Sequence, residues 1–373
     1  MSNLILVILP LLLMASSAPA AEPPPTSPSR FTPVISSIPT QEVGFPETIR
    51  TDGREFLIVL WHAEGSFWVL DAETGARRKV NVTTPEAISH LNIRCVDRIE
   101  KGRLVASASW VEEKVSRSGL LFMDDDGKVD RYVGYGFSIR SIVVGPTREW
   151  IVGAIQEPQD PTSEEINRAT NSGLAKFTIE GKLVFMQGAA LANMMASFEE
   201  SFRTFPLRRV FLLRGSVVLT YPFPRERGGA GVVWIEPRGA LETKAMNKAG
   251  FARDYAGGSL APLHRPRLGE EHFRGANPIG IVPVVSEGRS AFLAAWLTRG
   301  SGEPEDIEPT APRRDQGRLL LTLYDTEGKD AKKVEEVEDG TRIGELTSSP
   351  DGTAYAVTFR DISKEWSISR IDF

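Results

Sequence analysis

One short unit recurs along the chain and constrains its fold more than any other feature: an apolar strand, a turn containing glycine, and a second strand. It appears as Phe67-Trp68-Val69-Leu70-Asp71 leading to Gly75, as Leu120-Leu121-Phe122-Met123-Asp124 with Gly127, and as Ala175 to Glu180 with Gly181. Two further copies are Val232 to Glu236 with Gly239, and Leu321 to Asp325 with Gly328. The first four glycines are 52, 54 and 58 residues apart. Each copy reads as a hairpin whose glycine stands where φ > 0 is often required. Three of these hairpins are preceded by a second pair of strands, and a fourth such pair stands near the end of the chain. The pairs flank Gly145-Pro146-Thr147, Arg214-Gly215, Glu287-Gly288 and Ser349-Pro350-Asp351-Gly352. Two hairpins per about 50 residues make a four-stranded meander, and repeated meanders build a β-propeller.

The sequence therefore predicts an all-β chain folded as a single β-propeller over residues 47–373. Five blades are expected near 47–82, 91–133, 139–187, 207–245 and 279–337, and a sixth, 343–373, shows only three strands. Such a ring is expected to close by an N-terminal strand completing the last blade, which covers an open edge. Val34 to Ile38 is the candidate, set in a Pro-rich stretch, 21–46, that otherwise reads as an exposed tether. A seventh blade within 246–278 is left open, although the Gly, Pro and Arg content there speaks against strands.

The stretch Ser349-Pro350-Asp351-Gly352-Thr353-Ala354-Tyr355-Ala356-Val357 resembles the repeat signature of WD40-like, TolB-type propellers. Leu70-Asp71-Ala72-Glu73-Thr74-Gly75 is similar to the turn of quinoprotein-type repeats. Each motif occurs once and covers under a dozen residues. The resemblance implies a propeller fold and no particular activity.

Residues 1–20 carry no Lys, Arg, Asp or Glu, and Leu4 to Met14 form an apolar run broken only by Pro10. Ala18-Pro19-Ala20 follows, small residues that a signal peptidase accepts. The run is far shorter than the ~20 residues a membrane-crossing helix needs. These features predict a cleaved secretory signal with cleavage near Ala20-Ala21, and so a periplasmic or extracellular location. Only one cysteine is present, Cys95, so no internal disulfide framework exists. Its alternating surroundings predict a small buried strand residue. A formal charge of -5 argues against a nucleic-acid partner.

With the strands of a blade named a to d, the a–b and c–d turns fall on one face and the b–c and d–a connections on the other. Long b–c loops are expected at 157–172, 222–229 and 299–316, and long d–a linkers at 188–206 and 246–278. Insertions gathered on one face of a rigid scaffold are where binding sites form. Within the first linker, Leu191, Met194, Met195, Phe198, Phe202 and Phe205 recur at helical spacing, which predicts one short amphipathic helix inserted between blades. Residues 203–275 hold thirteen Lys and Arg against six acids. His264, Arg265, Arg267, His272 and Arg274 cluster in the second linker and are the candidate ligand-binding residues, suited to an anionic small molecule or glycan.

Asp124-Asp125-Asp126-Gly127 fails the spacing of an EF-hand loop and reads as a hairpin turn. His264, His272, Glu270 and Glu271 match no zinc signature. No G-x-S-x-G, S-x-x-K or H-E-x-x-H motif occurs, and no cofactor is indicated. Two readings of function stay open. The first is an exported propeller that binds a protein or an anionic ligand through its long-loop face. The second is a metal-assisted hydrolase or lyase holding a divalent cation at the central channel. Buried carboxylates grouped at the axis would favour the second.

Overall fold

The computed structural model describes residues 30–39, 46–61, 64–158, 173–187, 209–222, 230–235, 259–263, 277–297, 319–325, 331–336, 341–360 and 365–372. Among these, no helix occurs, and 24 strands form six four-stranded antiparallel sheets. In chain order, β1 (Arg30–Pro39) comes first and joins the last sheet. The first blade is β2 (Pro46–Thr51), β3 (Glu55–Leu60), β4 (Ser66–Asp71) and β5 (Arg77–Asn81). The second is β6 (Ile88–Glu100), β7 (Arg103–Glu112), β8 (Val115–Met123) and β9 (Val129–Tyr135). The third holds β10 (Phe137–Val144), β11 (Trp150–Pro158), β12 (Gly173–Thr178) and β13 (Leu183–Gln187). The fourth holds β14 (Arg209–Leu213), β15 (Ser216–Pro222), β16 (Ala230–Ile235) and β17 (Ser259–Leu263). The fifth is β18 (Asn277–Ser286), β19 (Arg289–Leu297), β20 (Leu319–Tyr324) and β21 (Ala331–Glu336). The sixth is β22 (Thr341–Ser348), β23 (Ala354–Arg360) and β24 (Glu365–Asp372), completed by β1 on its outer edge. The first strands of successive blades lie side by side, and β22 lies beside β2, so the ring of six blades is closed.

The burial pattern follows from blades stacking face to face. A middle strand has a neighbouring blade on both sides, so it is apolar throughout: Phe56 to Leu60, Leu120 to Met123 and Ala291 to Trp296 are all buried. Outer β5 leaves only Val80 buried. The core is therefore a set of layers between blades. One such layer joins Phe211 and Leu213 of the fourth blade, the middle strands of the fifth, and Leu346 and Ala356 of the sixth. Each large apolar side chain buried in this way contributes about 1.5–3 kcal/mol.

Closure by the N-terminal strand extends beyond 34–38: β1 pairs antiparallel with β24 from Arg30↔Asp372 to Pro39↔Glu365. Pro33 and Pro39 are tolerated because this strand pairs on one side only. One strand lies outside the bounds expected for its blade. The fourth blade does not end by 245; its outer strand β17 lies inside the stretch 246–278 and pairs with β16. That stretch thus holds a strand and not a further blade, and Pro262 fits because β17 is an edge. The connection 236–258 is then a c–d turn, so one long insertion leaves from the face of the short turns. The amphipathic helix expected at 188–206 lies outside the described residues.

The Ser349 to Gly352 turn knits three blades together. Val285 N donates to Gly352 O at 3.0 Å, and Arg214 N donates to Pro350 O at 3.0 Å. Gly352 has φ +93°, and a Cβ there would lie 2.4 Å from Val285 Cγ2 and 2.6 Å from Val285 N. Gly75 also has positive φ, +69°, but nothing lies within 4 Å. Gly75→Ala is expected to cost about 1–2 kcal/mol, the left-handed strain alone. Gly352→Ala adds overpacking and is expected to cost about 3 kcal/mol. Urea unfolding of the two variants checks the difference; equal losses would remove the packing role assigned to Gly352.

Candidate functional site

The central channel is not a through-passage lined by apolar groups. Its wall is made by the first strands of the blades, and five of the six carry an extra residue at the same level, near the long-loop face. Pairing with the second strand skips Glu47 in β2, Arg94 in β6, Arg140 in β10, Ile279 in β18 and Gly344 in β22. Such bulges re-aim side chains at rims and beside sites. Here they place two arginines and a glutamate at equivalent positions around the mouth. Arg209, the first residue of β14, completes the set.

Arg50, deeper in the channel, crosses the axis. It is 7% exposed. Its Nη2 donates to Ser141 Oγ of the third blade at 2.5 Å and to Val210 O of the fourth at 2.5 Å. Its guanidinium stands 5.2 Å from the centre of the Phe211 ring. Ser141 Oγ also accepts from Val210 N at 3.2 Å, so this hydroxyl is committed to structure. Arg209 forms an ion pair with Glu345 of the sixth blade and donates to Glu47 O of the first at 3.1 Å. Thr48 Oγ1 donates to Arg94 O at 2.7 Å, and Thr347 Oγ1 to Ile49 O at 3.0 Å. Blades that are not neighbours are thus tied through their innermost residues.

Burial shapes the charges. It pushes Arg209 down to about 9, with the Arg50 charge adding to the effect, so Arg209 stays protonated at neutral pH. Burial likewise lowers Arg94, opposed by the Glu47 carboxylate. Nε of Arg50 and Nε of Arg94 are both buried without a hydrogen-bond partner, a costly state for a polar atom. Toward the turn face, Asp97 Oδ2 accepts from Val144 N at 2.8 Å and Oδ1 from Arg98 N at 2.8 Å. Burial nonetheless raises Asp97 above the ordinary carboxylate range, against the pull of Arg50.

Glu345 and Glu47 both bear on Arg209, and Asp97 feels the charges of Arg50 and of Asp52. Among the described residues no group of three His, Cys, Asp or Glu is placed to hold a metal. The grouped metal ligands that the hydrolase or lyase reading asked for are thus not seen among the described residues. Asp124 to Gly127 is a turn: Asp124 Oδ1 accepts from Asp126 N at 3.0 Å and Lys128 N at 2.8 Å. Asp125 is bound by Arg98 at 2.6 Å and by Gly102 N at 3.0 Å. Arg98 also donates to Glu55 Oε2 at 2.9 Å, which pins the first blade to the second. Cys95 is buried, its Sγ 3.8 Å from Ile142 O.

Of the candidate residues singled out in the sequence, His264, Arg265, Arg267, His272 and Arg274 all lie outside the described residues. The strands around them fix where their segment attaches: β17 ends, and β18 begins, on the long-loop face. A pocket of about 670 Å³ opens on that face, lined by Glu112, Val115, Arg117 and Tyr135. A second, of about 770 Å³, lies between the fifth and sixth blades on the turn face, with Glu287, Arg289, Asp351 and Arg370 at its rim. The axial residues were missed in the sequence. The signal available was a charged residue inside an apolar first strand, as in Ile49-Arg50, Ile93-Arg94 and Ile139-Arg140.

No protein-family model matches the chain, and no curated protein matches it. Among solved structures it is similar to the soluble aldose sugar dehydrogenase of Escherichia coli. The identity is 14%, the TM-score 0.45, and the match covers 92% of this chain and 99% of that one. It is also similar to the β-propeller domain of the trilobed protease from Pyrococcus furiosus, at 11% identity and TM-score 0.39, over 86% and 79% of the two chains. A quinoprotein alcohol dehydrogenase-like protein from Bacteroides thetaiotaomicron matches at 9% identity and TM-score 0.39, over 87% and 65%. At these identities and scores the likeness transfers no activity. What the strand order establishes by itself is that this chain is a six-bladed β-propeller closed by its N-terminal strand.

Proposed function

We propose that the protein is an exported binding propeller whose long-loop face takes an anionic partner, a carboxylate-rich glycan being the class that fits best. The observation that supports this most is the ring of bulges at that end of the channel. It brings Arg94 and Arg140 to the rim beside Arg209. The basic segment with Arg265, Arg267 and Arg274 attaches to the same face, as do the long connections of the third and fifth blades. Half-exposed Trp61 lies on this face too, at the b–c turn of the first blade. Export follows from the signal-like first twenty residues.

The test is retention on an immobilised acidic polysaccharide such as polygalacturonate. The chain from Ala21 onward is expected to be held at low salt and released as salt screens the contact. A variant with Arg265, Arg267 and Arg274 changed to Gln is expected to pass through the resin with its circular dichroism unchanged. Equal retention of variant and parent, or passage of both, would sink the proposal.

A further inference from the structure

We infer that the axial mouth holds a built subsite for a single carboxylate group, with Arg94 as its principal ligand and Glu47 as the internal anion it must displace. This rests on the binding reading above and names the chemistry of that site.

Four observations carry it. Arg94 sits at a bulge, so its position is set by an irregularity of the backbone and not by the ladder. Its Nε is buried and has no hydrogen-bond partner among the described residues. The same is true of Nε in Arg50, itself more than nine-tenths buried one layer below. Arg209, the third cation, already engages a carboxylate, that of Glu345, and donates to the backbone of Glu47. Arg50 and Arg209 are thus engaged by protein groups, while among the described residues the charge acting on Arg94 is that of Glu47, which also acts on Arg209. A guanidinium presents a planar fork that matches a carboxylate in two parallel hydrogen bonds. A ligand carboxylate seated on Arg94 would satisfy the orphaned N–H and replace the weaker attraction to Glu47. Arg98, at the opposite end of the channel, is spent on Glu55 and Asp125.

The proposal makes two side chains act in opposite directions, which separates it from a general attraction of anions to a basic surface. Citrate is the probe, titrated by calorimetry into the chain from Ala21 onward at matched ionic strength. Saturable binding is expected, weakened about tenfold or more by Arg94→Gln, the loss of one charge-assisted pair. Glu47→Gln, which removes the competing charge, is expected to bind citrate several-fold more tightly than the parent. Arg289→Gln, on the turn face, is expected to change nothing. Near-UV circular dichroism reports whether Arg94→Gln is folded, and the gain in Glu47→Gln tests the idea independently of it. Equal affinity in Arg94→Gln and the parent overturns the subsite, as does weaker binding in Glu47→Gln. If citrate binds as expected while polygalacturonate is not retained, the glycan reading fails and the subsite stands. If the resin is held but citrate is indifferent to Arg94, the subsite alone fails.

Discussion

A chain that begins at Gln41, and so lacks β1, is expected to lose most of its stability and to associate into dimers or larger species. Two effects add. Ile35 is 5% exposed and Ile38 1%, both packed in the layer with Trp366, Ile368 and Phe56. Removing two such side chains forfeits about 3–6 kcal/mol of burial, a large share of the 5–15 kcal/mol that holds an ordinary domain together. The second effect is exposure of the outer edge of β24, whose pairing runs from Glu365 to Asp372. An uncovered edge recruits strands from other copies. Size-exclusion chromatography and a thermal melt check both effects. A synthetic peptide spanning Arg30 to Pro39, added in excess, is expected to raise the melting temperature and restore the monomer. A truncated chain that melts with the parent would show that the ring does not depend on this strand.

Arg50→Met is expected to cost about 3–5 kcal/mol, the range for breaking a buried charged contact from one side. Methionine fills much of the volume, yet it leaves Val210 O without its donor and takes the positive charge away from the neighbourhood of Asp97. Leaving a buried acceptor unpaired costs about 1–3 kcal/mol by itself. Arg50→Lys is expected to fall between, because one ammonium keeps the charge but loses the planar fork and its place over Phe211. The midpoint of urea unfolding should move while its slope stays constant. A loss below about 1 kcal/mol would mean that the cross-axis contact is dispensable.

The parts of this fold that were legible in the sequence are those written in local turn chemistry. Gly75, Gly127 and Gly181 all stand at positive φ in the turns where the recurring unit placed them. The middle strands were legible because burial on both faces leaves an unbroken apolar run, as in Leu319 to Tyr324. Outer strands carry no such mark. Ser259-Leu260-Ala261-Pro262-Leu263 is polar-bounded and contains proline, and only the pairing with β16 makes it a strand. The axial site was hidden for a related reason. A bulge inserts one residue without altering composition, so the arginine after Ile93 or Ile139 stands out as a charge in an apolar strand without showing that it lies at a rim. Arg50, Ser141 and Val210 meet across separations of 91 and 160 residues, a proximity that only the closed ring creates.

The closure of the last blade also fixes an orientation. Arg30 pairs with Asp372 at the end of β24, on the turn face, and β1 runs from there toward the long-loop face. Whatever the residues before Arg30 are joined to, they enter the body on the side away from the mouth with Arg94 and Arg209. A propeller held by that leading segment would stand with its long-loop face outward, like a dish on a stalk. An anchor or fusion partner placed at the amino terminus should therefore leave the arginine rim accessible.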